Sequence, residues 1–268
     1  MSTQQHLARI GAAAAMSGAV TLFVATLLHP MSADPNDPPA AFAEYAADRL
    51  WVASHLGQFL GVAALGVALV ALGATMEAGA PSAWARIGLV GTAASIGAAA
   101  ALQAVDGVAL KVMVNRWMQA SGEARARAFE SAFAVRQVEV GLASLLSVLF
   151  GLTVSAFGIS MLLSRRFPTW LGWLGLLGGL GTLAAGIAQA YTGFSPLAMM
   201  LSMPAGCVLL LWAIVVGAFL WRLAPCCRRQ TVQFNGVGAD RRAHISSWWG
   251  KGGRRLNAGP LSRLEAMR

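Results

Sequence analysis

The sequence is poor in charge and in cysteine. Asp, Glu, Lys and Arg make up only 12% of its 268 residues, against about 25% in soluble domains. This shortage excludes an ordinary globular enzyme, a disordered chain and a nucleic-acid-binding surface, so we expect no nucleic-acid partner. The three cysteines, two of them adjacent, provide neither a disulfide framework nor a zinc knuckle.

Familiar catalytic motifs are also missing from the sequence. It has no zinc-protease His-Glu pair, no phosphate-binding P-loop, no Cys-x-x-Cys and no Asn-x-Ser/Thr acceptor. Motifs therefore assign neither a reaction nor a substrate, and whether the protein is an enzyme stays open at this level.

What the sequence does contain is long apolar runs, with 57% hydrophobic residues and a mean hydropathy of +0.61. About 20 apolar residues, rising about 1.5 Å each, cross the hydrocarbon core of a bilayer. Charge-free runs therefore predict six transmembrane helices, at residues 10–28, 51–75, 87–105, 140–163, 170–190 and 197–221. The thirty glycines fit close helix packing in lipid. We predict an all-α polytopic membrane helix bundle.

Two short amphipathic helices are expected outside the membrane core. In the first, Asp37 can cap and Pro38 can start a helix that reaches Arg49. In the second, Ser121 can cap a helix that continues into the fourth span. Both are predicted on the outer side.

The distribution of basic residues predicts the orientation. Arg9, Arg86, Arg165 and Arg166 lie on the side that also carries the C-terminal segment, which favours cytoplasmic N and C termini. The five basic residues between positions 111 and 136 lie on the other side and depart from this rule. Eighteen Arg against two Lys, with abundant Ala and Gly, indicate a GC-rich bacterial genome. We expect a multi-pass protein of the bacterial inner (plasma) membrane.

The composition changes sharply near residue 222. Residues 1–222 are predicted to form the six-span domain, and residues 223–268 a basic, disordered cytoplasmic tail. Such a tail can attract anionic lipid. In the alternative interpretation its charge only sets the topology.

Polar residues within the spans are informative because an ionisable group in lipid is costly unless it faces protein or water. They gather at one level near the outer ends of the helices. These residues are His29, His55, Gln58, Gln103, Asp106, Lys111, Arg136, Glu139 and Gln189.

Two interpretations of this polar level remain open. His29, His55, Asp106 and Glu139 could supply nitrogen and oxygen ligands to a divalent metal, the two histidines could ligate haem, or the group could bind a proton or a small polar ligand. In the structural interpretation, His29 ends a helix before Pro30 and the glutamines form interhelical hydrogen bonds. Lys111 and Arg136 would then neutralise Asp106 and Glu139, respectively.

Four stretches carry a resemblance to known sequences. They are Leu102-Gln-Ala-Val-Asp106 through Lys111, Val135-Arg-Gln-Val-Glu139, Trp51 to Gly61 with its Ser-His-Leu-Gly-Gln core, and Pro168-Thr-Trp-Leu-Gly-Trp-Leu-Gly. Over residues 10–222 the chain resembles uncharacterised six-helix membrane proteins of actinobacteria and other bacteria. The resemblance implies six helices and carries over no catalytic role. The matching positions are Trp51, His55, Gln58, Asp106, Lys111, Arg136 and Glu139.

Functions of other classes are also considered. In a proton- or cation-coupled carrier for small solutes, Asp106 and Glu139 would handle the ion, and a third interpretation is a non-catalytic membrane partner protein. Carriers usually hold their site near the midplane between broken helices. Here the polar groups lie near the outer edge of continuous runs, which favours a site of binding or chemistry. The sequence predicts no oligomeric state.

Overall fold

The computed structural model describes residues 3–223. All regular structure in this part is helical, and six helices are long and apolar enough to cross a membrane. The helices are α1 (Thr3–Leu27), α2 (Pro38–Ala47), α3 (Trp51–Ala74), α4 (Ala80–Gln103), a π-helix (Ala104–Leu110), α5 (Lys111–Gln119), α6 (Gly122–Leu163), α7 (Thr169–Thr192) and α8 (Pro196–Leu223). The predicted membrane helix bundle is confirmed. The predicted disorder and lipid contacts of the C-terminal tail lie outside the described residues.

Small residues let the spans pack closely. α6 packs against α4 and α7, while α1 packs against α3 and α8. At Gly151 of α6, an added Cβ would lie 2.6 Å from the backbone nitrogen of Leu183 in α7, closer than real Cβ atoms come. At Gly61 of α3, a Cβ would lie 2.8 Å from the backbone nitrogen of Leu22 in α1. Backbone-to-backbone contact therefore holds these pairs together, as expected where lipid gives no hydrophobic drive for association.

The two longest helical segments extend well beyond a bilayer core. α6 has 42 residues, or about 63 Å at 1.5 Å per residue, which is twice the hydrocarbon thickness of about 30 Å. The predicted span 140–163 is its second half. The third span likewise continues past its predicted end at residue 105, through the π-helix and α5 to Gln119.

These extensions and α2 form a small cap on the side predicted to be outer. We define this outer cap as α2, α5 and residues 122–139 of α6. It has its own apolar cluster, separate from the core within the membrane. The largest fully buried side chains of this cluster are Phe42 of α2 and Val114 of α5, joined by Trp51 at the start of α3 and Leu110 of the π-helix. α5 and α6 of the cap pack against the π-helix, which in turn contacts α3 and α4.

Of the two short helices expected outside the membrane core, only the first is a separate helix. α2 begins as predicted, with Pro38 in its first turn and the Asp37 carboxylate accepting a hydrogen bond from the Ala40 amide at 3.4 Å. The second is not a separate short helix but the first turns of α6, which run unbroken into the fourth span. Ser121 precedes it, yet its side chain makes no capping hydrogen bond. With no proline between residues 122 and 163, nothing in the sequence interrupts this helix.

Candidate metal centre

His55 lies in the second turn of α3 and is 1% exposed. Its Nδ1 lies 2.6 Å from the carbonyl oxygen of Trp51, one turn earlier. Because a carbonyl only accepts hydrogen bonds, Nδ1 must carry the proton and donate it. The ring is thereby oriented so that Nε2 lies 3.0 Å from Oδ2 of Asp106. A local backbone contact thus fixes the tautomer and aims the other nitrogen at a carboxylate.

Asp106 lies in the π-helix that continues α4, a form often found at functional sites. The next residue, Gly107, lies directly against the imidazole: a Cβ there would be 2.5 Å from Cβ of His55. The Trp51 indole Nε1 donates to the Asp106 carbonyl oxygen at 3.0 Å. The other carboxylate oxygen, Oδ1, is buried and has no hydrogen-bond partner within residues 3–223. It remains able to bind a ligand.

His29 approaches from the connection between α1 and α2. Its Nδ1 lies 2.8 Å from the Pro30 carbonyl oxygen and therefore also donates to the backbone. The ring centroids of His29 and His55 are 5.1 Å apart, and the Trp51 ring packs against both. Burial, followed by the neighbouring His55, lowers the pKa of His29 below its usual 6.5. The imidazole is therefore neutral at pH 7, with a lone pair on Nε2.

The ligand-capable atoms of His29, His55 and Asp106 lie within 4.8 Å of one another. The structure thus brings together three of the four residues predicted to ligate a metal. The fourth, Glu139, is held by Arg136, whose Nη1 donates to its two carboxylate oxygens at 2.8 and 2.6 Å. This ion pair is three residues apart on one helix and agrees with the expected neutralisation of Glu139.

The expected pairing of Lys111 with Asp106 is wrong. The Lys111 ammonium instead donates to the carbonyl oxygens of Tyr45, Ala46 and Asp48, at 2.6, 2.9 and 2.7 Å. These carbonyls close the C-terminal end of α2, where helical carbonyls lack intrahelical partners and the dipole attracts a cation. Three acceptors satisfy all three N–H groups of Lys111, and Asp106 is left to pair with His55.

A family model matches the part of the chain that contains Asp106. It is described as a domain of unknown function (DUF4386) and matches residues 98–220. The match includes Asp106, Arg136 and Glu139 and excludes both histidines. No curated protein and no solved structure matches the chain.

The predicted glutamines occupy the level below the His55–Asp106 pair. Gln103 of α4 donates from Nε2 to Oε1 of Gln58 in α3 at 3.1 Å, which confirms the expected interhelical bond. Gln189 of α7 is buried, and its Nε2 has no partner among the described residues. The glutamines are thus not one connected network.

Two contributors were not predicted as site residues. Tyr45 of α2 packs on Trp51, with ring centroids 4.3 Å apart, and burial raises its pKa to about 12. It therefore stays a neutral phenol that covers the site from the outside. Gly107 makes room for His55. Its only sequence signal was its position next to Asp106.

The packing favours a single ion over haem. A porphyrin held by two histidines must lie between their coordinating nitrogens. The Trp51 ring centroid lies 4.9 Å from that of His29 and 4.4 Å from that of His55. The Asp106 carboxylate is already hydrogen-bonded to Nε2 of His55. A metal ion needs only one ligand atom from each of the three side chains, and these atoms lie within 4.8 Å of one another.

Proposed function

We propose that this multi-pass membrane protein binds a divalent transition-metal ion through His29, His55 and Asp106, just beneath its outer face. The observation that carries the proposal is the convergence of their ligand atoms within 4.8 Å. Each histidine donates its Nδ1 proton to a backbone carbonyl, as ligating histidines do when an outer contact orients them. Asp106 adds a carboxylate with one unpartnered oxygen.

The donor set restricts the ion. Two imidazoles and one carboxylate suit zinc, iron, copper or nickel better than calcium or magnesium, which prefer oxygen ligands. Three protein ligands leave a coordination position for water or a substrate, as in catalytic rather than structural zinc sites. The Arg136–Glu139 pair adds no net charge beside the ion. The proposed role is therefore a metal-dependent site of binding or chemistry.

We further propose that the site faces the outer side of a bacterial inner membrane, with both termini in the cytoplasm. Arg86, Arg165 and Arg166 support this orientation, since they adjoin the ends of spans opposite the site. Exposed Trp170 and Trp173 at the start of α7 fit an aromatic belt at that same boundary. Anionic lipid is the proposed partner of the basic tail.

Metal content tests the proposal. Purified protein is loaded with Zn²⁺, freed of excess ion by gel filtration and analysed by inductively coupled plasma mass spectrometry. We expect about one zinc per chain, lost in His55→Ala and in Asp106→Asn, because two remaining ligands hold zinc poorly. His6→Ala is the matched control, since His6 is exposed near the start of α1, at the opposite end of that helix from His29. Equal zinc in His55→Ala and His6→Ala would refute the site.

A proton-coupled carrier is the second candidate, supported by the His55–Asp106 hydrogen bond and the π-helix beside it. A carrier also needs a polar route from the site to the inner side. The hydroxyls of Thr92, Ser144 and Thr153 instead donate to carbonyls of their own helices. Proton uptake by liposomes containing the protein, with and without Asp106→Asn, separates the two candidates.

A further inference from the structure

A cavity of about 320 Å³ opens on the outer side, between α2, the middle of α6 and the end of α7. Its size falls within the range of small-molecule sites, about 300–1,000 Å³. Four aromatic side chains contribute to its wall: Phe42, Phe133, Tyr191 and Phe194. None of them belongs to the metal centre, so the cavity is a separate feature.

One side of the cavity is closed by a bridge between loops. The side-chain amide of Asn36, in the connection before α2, donates to the carbonyl oxygen of Phe194 at 3.1 Å. Phe194 follows Gly193, whose φ of +61° lets the chain turn directly after α7. The wall is therefore built by contacts distant in sequence rather than by a chance gap between helices.

The cavity also contains a strong hydrogen-bond donor. Arg136 lines it and is 7% exposed. The guanidinium packs against the rings of Phe194 and Tyr45, at 4.7 and 5.4 Å from their centroids. Both bonds to Glu139 use the single nitrogen Nη1. A guanidinium has five N–H groups, and Nε and Nη2 have no acceptor among residues 3–223.

Charge decides which ligand fits these donors. Glu139 already compensates Arg136, so the pair offers hydrogen-bond donors without net positive charge, and an anion would meet the nearby Glu139 carboxylate. A neutral carbonyl oxygen accepts from Arg136 without that repulsion. Aromatic walls favour a flat, apolar body, and Val140 and Ala190 place the cavity at the outer edge of the spans, within reach of lipid-soluble molecules.

We propose that this cavity binds an uncharged, planar, lipid-soluble carbonyl compound of the quinone class, with a quinone oxygen accepting from Arg136. The site stands independently of the metal centre. Its ligand enters from the outer leaflet and lies among the four aromatic side chains.

Equilibrium dialysis of menadione against the full-length protein in detergent tests this, with protein-free micelles as the blank. We expect saturable binding of one menadione per chain that decanoate, an anionic amphiphile, does not displace. Ala190→Trp places an indole at an exposed position of the cavity wall and should weaken binding about tenfold or more. Ala184→Trp, the same change at an exposed position of α7 outside the cavity, should leave binding unchanged.

Three results would overturn the proposal. Menadione uptake that equals partition into the blank micelles would show that no site exists. Equal affinity of the Ala190→Trp and Ala184→Trp variants would place the ligand elsewhere. Displacement of menadione by decanoate would assign the cavity to anionic amphiphiles.

Discussion

Two backbone carbonyls determine how the histidines can act. The carbonyls of Pro30 and Trp51 each accept from an Nδ1, so both imidazoles carry their lone pair on Nε2 when neutral. Asp106 then has two ways to satisfy Nε2 of His55: to share a proton with it or to share a metal ion. The proposed function is the second arrangement, and metal uptake must displace that proton.

Substitution of Gly107 tests whether the close approach of the π-helix to His55 is needed for metal binding. A methyl group there would lie 2.5 Å from Cβ of His55, so the imidazole or the π-helix must shift. We expect Gly107→Ala to lower zinc affinity about 10- to 100-fold although no ligand is removed. Competition with a fluorescent zinc chelator measures the affinity.

Gly97→Ala is the control for this change, because a Cβ at Gly97 of the same span meets no atom within 4 Å. Equal zinc affinity in the Gly97→Ala and Gly107→Ala variants would mean that the close approach of residue 107 is irrelevant to the metal.

Among the helices, α2 depends on one side chain from another element. Lys111 donates to three carbonyls at the C-terminal end of α2, and α2 in turn carries Tyr45 over the site. Hydrogen bonds to a charged group contribute about 1.5–3 kcal/mol each. The cap above the metal centre is therefore attached by a polar contact as well as by its apolar cluster.

Replacing Lys111 with Met should loosen α2. The apolar stem is kept while three carbonyls lose their donor, so we expect a local cost of about 2 kcal/mol or more. Hydrogen–deuterium exchange of residues 38–47 should accelerate at least tenfold. Arg116→Met, at an exposed position of α5, is the control and should leave this exchange unchanged. Identical protection of α2 in both variants would contradict the capping role.

At the end of the bundle opposite the outer cap, a hydrogen bond connects the turn after α3 with the residue that follows α6. Ser164 donates a hydrogen bond to the Glu77 carboxylate, and that bond is the main cause that lowers the pKa of Glu77 below its usual 4.5. A lowered pKa in the folded state means that this stabilisation is present above pH 4.5 and is lost as the pH falls through the folded pKa. Acid should therefore weaken the hydrogen bond between Ser164 and Glu77.

Ser164→Ala should make the stability of the protein less dependent on pH between pH 3 and pH 6. Without the hydroxyl, the folded-state pKa of Glu77 returns toward 4.5. The variant therefore lacks stabilisation that the wild type has above pH 4.5, and the difference between the two shrinks as the pH falls. Thermal unfolding between pH 3 and pH 6 measures how the stability of each protein changes with pH. Ser131→Ala, at an exposed position of α6, provides the reference curve. Superimposable pH curves for the two variants would exclude this role of the hydrogen bond.

For the whole molecule, the sequence predicted the spans because lipid penalises every charge within them. The outer level of polar residues followed from the same penalty. The π-helix did not, because residues 104–110 carry no composition that distinguishes a π-helix from an α-helix. The partner of Lys111 was also mispredicted, since its acceptors are backbone carbonyls from a distant helix. The sequence thus predicted the depth of the polar residues in the membrane, whereas their hydrogen-bond partners depend on tertiary contacts.

The long helices give the molecule two parts with different surroundings. The spans pack through small residues in lipid, whereas the outer cap packs around a separate apolar cluster that includes Trp51. The candidate metal centre lies where these two parts meet. Its position explains how ionisable groups can be both buried and close to one end of the spans.

The central claim is that two imidazoles and one carboxylate bind a single ion. X-ray absorption at the zinc edge of the zinc-loaded, full-length protein tests it most directly. We predict nitrogen and oxygen ligands at about 2.0–2.1 Å, with the outer-shell scattering of two imidazole rings. A sulfur ligand at about 2.3 Å, or a spectrum without imidazole scattering, would contradict the account.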